Sequence, residues 1–331
     1  MKNIRIELQE RDLAILLYLY NARIASNTEM ALIFFNNNTM LSSKRLSQLV
    51  ATGYVLSSPY SFGSKRYAGK HYRLTQQGLD EITNRGFLSH LPPRAARIIS
   101  SDTAIITALK LGEVRSSLIE SGIIALKDWQ FPRDVRETYK LPRFTPVCCC
   151  IRDIMVLYVF GGAFKFLVNT IETTNRLTTT AVNGHPQINH VIIVYEAEKE
   201  RTRLLAQYVS GSVYMSTFAQ LPILITDLLT GKPTYHMNEL ISRYKTLHPC
   251  ATFASPLYGL IEAMPNGLAY EPTALLIDGI TGSIFARQQF LAAQKERRIA
   301  LVRQGTDLLL SSDLPATPSA GKVLRATGKL A

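Results

Sequence analysis

Residues 41–75 read LSSKRLSQLVATGYVLSSPYSFGSKRYAGKHYRLT, and this stretch decides how the chain begins. Ser42 or Ser43 can cap a helix, because a hydroxyl can accept a hydrogen bond from an amide of the first turn that has no partner inside the helix. Gly53 can close it in a left-handed conformation. Between these signals Leu46, Leu49 and Val50 recur at helical spacing and form the buried face. Lys44, Arg45, Ser47 and Gln48 remain on the opposite face, a set suited to a DNA major groove, where Lys and Arg meet phosphate or guanine and Gln pairs with adenine.

After Gly53, Tyr54-Val55-Leu56 and Tyr72-Arg73-Leu74 read as paired strands joined by a loop over Phe62–Gly69. Lys65, Arg66, Lys70, His71 and Arg73 fall in this hairpin, which has no acid between Gly53 and Thr75. Such a loop repels itself unless a polyanion lies close, so the hairpin is expected to hold the DNA backbone beside the helix. A solvated, charge-bearing hairpin is the competing reading.

Upstream, Arg11–Tyr20 is an amphipathic helix and Met30–Phe35 a second, ended by Asn36-Asn37-Asn38. Downstream, Thr75 caps a helix over Gln76–Asn84 that Gly86 closes. Helix, helix, recognition helix, hairpin and helix is the order of a winged helix-turn-helix domain, expected over residues 1–88. Leu91-Pro92-Pro93-Arg94 marks its end. A connector is expected over 89–146, with helices at Asp102–Gly112 and Glu113–Ser121.

From Val147 the pattern becomes that of a sheet. Val147–Ile151, Ile154–Phe160, Phe164–Ile171, Val191–Tyr195 and Ile223–Ile225 are short β-branched or aromatic runs, and Ala197–Val209 and Met237–Lys245 read as helices between them. Residues 147–305 are thus expected to form a mixed-sheet α/β domain, giving an α/β chain that is α+β overall. Phe285–Arg303 reads as a long basic helix and 306–331 as a flexible basic tail.

The 331 residues carry 37 Lys and Arg against 25 Asp and Glu, a net +12, and 47% of them are hydrophobic. Residues 1–86 hold 11 cations against 6 anions and residues 284–331 hold 8 against 3, while the middle is nearly balanced. Basic ends point to a polyanion as partner. Cys148-Cys149-Cys150 and Cys250 form neither a disulfide framework nor a zinc pattern and are expected as buried thiols in a reducing compartment. The absence of an apolar leader or span predicts a cytoplasmic protein with no membrane crossing. No phosphate-binding loop, dinucleotide fingerprint or nucleophile elbow occurs, which argues against nucleotide hydrolysis and hydride transfer. Among 15 tyrosines no single one is marked as a nucleophile.

RDLAILLYLYNARIASNTEMALIFF, KRLSQLVATGYV and HYRLTQQGLDEI, all within about residues 8–85, resemble the amino-terminal winged helix of the replication-relaxation family. These proteins belong to plasmids, integrative elements and phages and are similar to MobC-type relaxases. The resemblance implies a DNA-binding protein of a mobile element, acting in replication, mobilisation or relaxation, with double-stranded DNA and a second copy or other proteins of the element as partners. It also implies a restriction-endonuclease-like second domain. There, clustered carboxylates would hold Mg or Mn to activate water and offset charge on the scissile phosphate.

Asp153, in RDIMVL, takes the position of the first acid. The strand FLVNTIETT should supply an acidic pair but has Asn169 and Ile171 there; Glu172 is the nearest acid, and Glu196, Glu198 and Lys199 lie at a later strand end. Each has a plainer role available: a hairpin turn for Asp153, and an acidic helix start, shared with Glu200, for Glu196 and Glu198. His190 fits no ligand pattern. Metal-dependent nicking is therefore one expectation for the second domain, and a non-enzymatic regulator or scaffold joined through protein contacts is the other.

Overall fold

A computed structural model describes residues 6–60, 69–88, 102–142, 145–158, 171–172, 176–178, 187–205, 212–253, 260–264, 274–278, 283–292, 298–303 and 322–326. The chain is mixed α/β and divides into two compact units, Met1–Arg133 and Asp134–Ala331. Among the described residues no helix is long and apolar enough to cross a membrane.

The first unit runs α1 (Glu10–Ala22), β1 (Ala25–Ser26), α2 (Asn27–Phe34), α3 (Thr39–Ala51), β2 (Val55–Tyr60), β3 (Gly69–Leu74), α4 (Gln76–Asn84), α5 (Asp102–Glu120) and β4 (Trp129–Gln130). Thr75 caps α4 as expected, accepting from the Gly78 amide. α2 begins at Asn27, ahead of the expected Met30, and its cap is Ser26, which accepts from the Glu29 amide. The third helix differs: Asn38, not Ser42 or Ser43, is its cap, accepting from the Leu41 amide. The asparagine cluster that ends α2 thus also starts α3, and Ser42 is buried inside the helix.

α3 closes as expected. The Gly53 amide donates to Val50 and the Tyr54 amide to Leu49, with Gly53 at φ 83°. Only a residue without Cβ takes this conformation cheaply. β2 and β3 then pair antiparallel from Val55↔Leu74 to Tyr60↔Gly69, and β1 adds to β3 at Ala25↔Tyr72, giving the order β1-β3-β2. Ile15, Leu16, Leu19, Met30, Leu46, Leu49, Leu79 and Ile82 are fully buried between the helices and this sheet.

α5 is one continuous helix rather than the expected pair meeting at Gly112, and it packs on α2 and β1. Gly112 is required for approach, not for a break: a Cβ there would lie 2.6 Å from Glu29 Oε2. One turn on, Arg115 donates to Glu29 from Nε at 2.9 Å and also from Nη2, while Tyr18 donates to the same carboxylate at 2.5 Å. The guanidinium sits about 5 Å from the ring centroids of Tyr18, Trp129 and Phe131, at 5.3, 5.0 and 5.1 Å. Burial works against the Arg115 charge, but Glu29 and then Tyr18 outweigh it and hold its pKa above the usual value. The segment expected as a connector over 89–146 is therefore divided, its part up to Arg133 belonging to the first unit.

The second unit holds α6 (Pro132–Thr138, continuing past the division), β5 (Val147–Ile151), β6 (Ile154–Tyr158), β7 (His190–Val194), α7 (Glu198–Leu205), β8 (Val213–Ser216), α8 (Leu221–Leu229), α9 (Lys232–Leu247), β9 (Thr252–Phe253), β10 (Leu260–Met264), β11 (Ala274–Asp278), α10 (Ile284–Ala292), β12 (Arg298–Arg303) and β13 (Lys322–Ala326). β5 and β6 form a tight hairpin, and β6, β7 and β8 continue in parallel. β5, β6 and β8 are buried along their whole length and β7 at all but His190, which is why they read as unbroken apolar runs. A second sheet follows the same plan: β10 and β11 pair antiparallel, then β11, β12 and β13 run parallel, with β9 on the other side of β10. α9 packs on this sheet through Met237, Leu240 and Tyr244.

Three expectations are corrected here. Ile223–Ile225 lies inside α8, where Leu221, Leu224, Ile225 and Leu228 make a helical buried stripe. Phe285–Arg303 is not one helix: α10 ends at Ala292 and β12 takes up the chain at Arg298. Within the expected flexible tail, Lys322–Ala326 is a strand paired with β12. The expected strand Phe164–Ile171 lies outside the described residues up to 170, and Ile171 and Glu172 are helical. The three consecutive cysteines are buried free thiols in β5, whereas Cys250 is exposed. Burial pushes both Cys148 and Cys150 up to about 12, so neither is a thiolate at neutral pH.

Candidate nucleic-acid interface

From Met30 through Leu79 the chain contains no Asp or Glu, while Lys44, Arg45, Lys65, Arg66, Lys70 and Arg73 all fall within it. This span is α2 after its first turn, all of α3, the β2–β3 hairpin and the start of α4. Its edges are Glu29, bound to Arg115, and Asp80, which accepts from Gln76 at 2.7 Å. Positive charge is thus uncancelled by any acid within the span's own sequence.

The expected groove residues separate into two groups. Arg45 Nε donates to Asp12 Oδ1 at 2.8 Å, its Nη2 reaches Asp12 Oδ2 and the Glu7 carbonyl, and its Nη1 donates to Gln48 Oε1 at 2.9 Å. Asp12 is itself fully buried and accepts from the Gln9 amide at the start of α1. Hydrogen bonding to Asp12 raises the Arg45 pKa. Arg45 and Gln48 therefore fasten α3 to α1, a correction to their expected place in a groove. Lys44 is exposed, as are Met40, Leu41, Ser43 and Ser47. Ser43 accepts from Asn27 at 2.9 Å and Ser47 donates to the Ser43 carbonyl at 2.8 Å, so the hydroxyls on this face are already oriented.

The hairpin divides similarly. Lys70 is exposed and Arg73 half-buried, while Lys65 and Arg66 lie outside the described residues. His71 is a core residue, 2% exposed, with an unpartnered Nδ1, which removes it from the expected backbone contacts. The alternation along β3 explains this: His71 points to the side of the sheet opposite Lys70. Burial, and then the neighbouring Arg73 charge, lower its pKa.

In the second unit the acids expected to share a metal are kept apart. Asp153 is in the two-residue turn between β5 and β6, after Arg152 at φ 54°. It accepts from Asn189 Nδ2 at 2.7 Å, and its carbonyl takes the Asn189 and His190 amides. His190 opens β7 opposite Ile154 and contacts the Tyr214 hydroxyl through Nδ1 at 3.3 Å. Burial lowers the His190 pKa and Asp153 opposes that fall.

Glu196 follows the other end of β7, beyond Val194. The four steps from His190 to Val194 alone span about 13 Å at roughly 3.3 Å per residue. Two carboxylate oxygens on one cation lie within about 5 Å. Asp153 and Glu196 thus cannot share one. Glu198 and Lys199 open α7 at that far end, with their side chains outside the described residues. Glu200, the third acid of the expected helix start, is buried and accepts from the Glu196 and Ala197 amides at 2.9 and 3.2 Å. Glu172 is an exposed helical residue. Among the described residues no three His, Cys, Asp or Glu side chains are placed to hold a metal ion.

Compared with family models, curated proteins and solved structures, the chain has no match in any of the three.

Proposed function

We propose that the first unit is a winged helix-turn-helix that binds duplex DNA, with α3 in the major groove and the β2–β3 hairpin on the adjoining backbone. The acid-free span from Met30 to Leu79, laid over those elements and carrying five Lys and Arg besides the Asp12-bound Arg45, is the observation that carries this reading. Lys44 on α3 and Lys70 on the hairpin are its exposed cations among the described residues. Lys65 and Arg66 extend the same contact by sequence. The resemblance to the replication-relaxation family supports a role with the DNA of a mobile element.

For the second unit the reading favoured is assembly with a second copy or another protein rather than nicking, because Asp153 and Glu196 lie at opposite ends of β7 and Asp153 is occupied by Asn189. A restriction-endonuclease-like core stays a reading of strand order alone, a hairpin followed by parallel strands.

Binding of a fluorescent duplex across a salt series tests the first part. The expected result is an affinity that falls steeply with salt. Lys44→Ala plus Lys70→Ala should reduce the slope of log affinity against log salt by about two, at roughly 0.9 for each phosphate no longer neutralised. An unchanged slope removes these residues from the interface. Incubation with supercoiled plasmid and Mg or Mn tests the second: nicking that disappears in Asp153→Ala would restore the enzymatic reading.

A further inference from the structure

The face that α3 presents outward is not the face its sequence advertises. With Arg45 and Gln48 committed to Asp12, Glu7 and each other, the protruding residues of its first three turns are Thr39, Met40, Leu41, Ser43, Lys44 and Ser47. Met40 is 81% exposed and Leu41 53%, and Met40 is the most exposed large apolar side chain among the described residues. Neither is needed to hold the helix, whose buried contacts are Leu46 and Leu49 and whose cap is Asn38.

Met40 and Leu41 are the apolar part of α3 that its own packing leaves unused. A second copy of the chain fits poorly, since a stable interface buries about 800 Å² per partner and two apolar side chains flanked by Ser43, Lys44 and Ser47 do not approach that. A nucleic-acid partner fits the surrounding charge, because α3 contains no acid and Lys44 lies one turn beyond Met40. Recognition helices meet base edges through their amino-terminal residues. The one apolar feature that the major groove offers there is the C5 methyl group of thymine.

We infer that α3 reads thymine methyl groups through Met40 and Leu41, while Lys44 holds the adjacent phosphate. This rests on the DNA-binding reading above and gives it a base preference. Met40 makes a suitable reader because its flexible thioether chain adapts to the groove floor. Serine hydroxyls tolerate either donor or acceptor edges and add no strong preference against it. The interaction predicts a protein that favours T-rich duplexes without any Arg–guanine contact from this helix.

The test uses the full chain and three duplex copolymers: alternating dA-dT, alternating dA-dU, which differs by lacking the C5 methyl, and alternating dG-dC. Affinity is measured by fluorescence anisotropy at one salt concentration and then across a salt series. The expected order is dA-dT above dA-dU, by about fourfold for each methyl contacted, the equivalent of about 0.8 kcal/mol. Met40→Ala, a substitution at a solvent-facing site, reduces that difference about fourfold, Met40→Ala plus Leu41→Ala abolishes it, and neither changes the salt slope; Lys44→Ala weakens dA-dT and dA-dU alike and lowers the slope.

Equal affinity for dA-dT and dA-dU, with salt-dependent binding intact, overturns the methyl reading and leaves DNA binding standing. Failure to bind any of the three duplexes overturns both. A change of sedimentation coefficient in Met40→Ala, with the dT preference unaltered, assigns this face to a contact between copies and overturns the inference.

Discussion

Carboxylates do different work in the two units. In the first, Asp12 and Glu29 are both buried and each binds an arginine brought from far along the chain, Arg45 and Arg115. In the second, Asp153 and Glu200 bind uncharged groups instead: the Asn189 side chain, 36 positions along the chain, and two amides at the start of α7. A buried acid that holds a cation fixes how helices pack. An acid that holds amide groups fixes a turn or the place where one element begins. The second pattern is what makes Asp153 and the Glu196–Glu200 cluster resemble a metal site in sequence while giving them unrelated places in the fold.

The largest effect that would break this contrast is expected at Arg115. Arg115→Met leaves Glu29 buried without its cation, and losing one partner of such a pair costs about 3–5 kcal/mol. Trp129 is buried with its ring centroid 5.0 Å from the Arg115 guanidinium, so its fluorescence reports the urea midpoint at which this packing is lost. Glu29→Met combined with Arg115→Met should recover a large part of the loss, since the pair rather than either charge is what the site tolerates. If the single variant unfolds at the wild-type midpoint, α5 is not anchored by this pair.

A smaller effect is expected at Glu200. Glu200→Ala removes an acceptor from two amides at a helix start, the kind of loss that costs about 1 kcal/mol. It should lower hydrogen-exchange protection at Glu196 and Ala197 while leaving protection within α1 to α4 unchanged. Lost protection in α1 to α4 would mean the two units do not keep their carboxylates' roles separate.

The division between what was legible and what was not follows the same line. The order of α1 to α4 with the hairpin could be read because most of these elements carry a cap or stop within a few residues, as the asparagine cluster, Gly53 and Thr75 do. Arg45 could not be placed, because the acid that turns it inward is 33 positions away. Arg115 and Glu29 are 86 apart, and nothing in the run around Gly112 announces that its missing side chain makes room for a carboxylate. Phe290, Ala293, Ile299 and Val302 fit a helical period, yet Arg298–Arg303 is drawn into a parallel ladder between β11 and β13. Pairing with distant strands overrides local pattern there. The acids of the second unit were individually visible; their separation along β7 is a matter of strand register, which sequence does not fix.

The histidines carry the contrast into pH. Burial lowers the pKa of both His71 and His190, but Arg73 adds to the fall at His71 whereas Asp153 opposes it at His190. A histidine whose folded value is depressed binds fewer protons in the folded than in the unfolded chain below the ordinary value of 6.5. Its contribution to stability is therefore complete above that value and is lost as pH falls toward and through the folded value. In urea unfolding followed by circular dichroism, the wild-type protein should accordingly lose stability between neutral pH and pH 5 more steeply than His71→Gln does. The variant keeps a polar side chain of similar reach but cannot take up the proton. Equal slopes for the two proteins would show that His71 gains a proton in the folded state as readily as in the unfolded one, and would place it back at the surface beside Lys70.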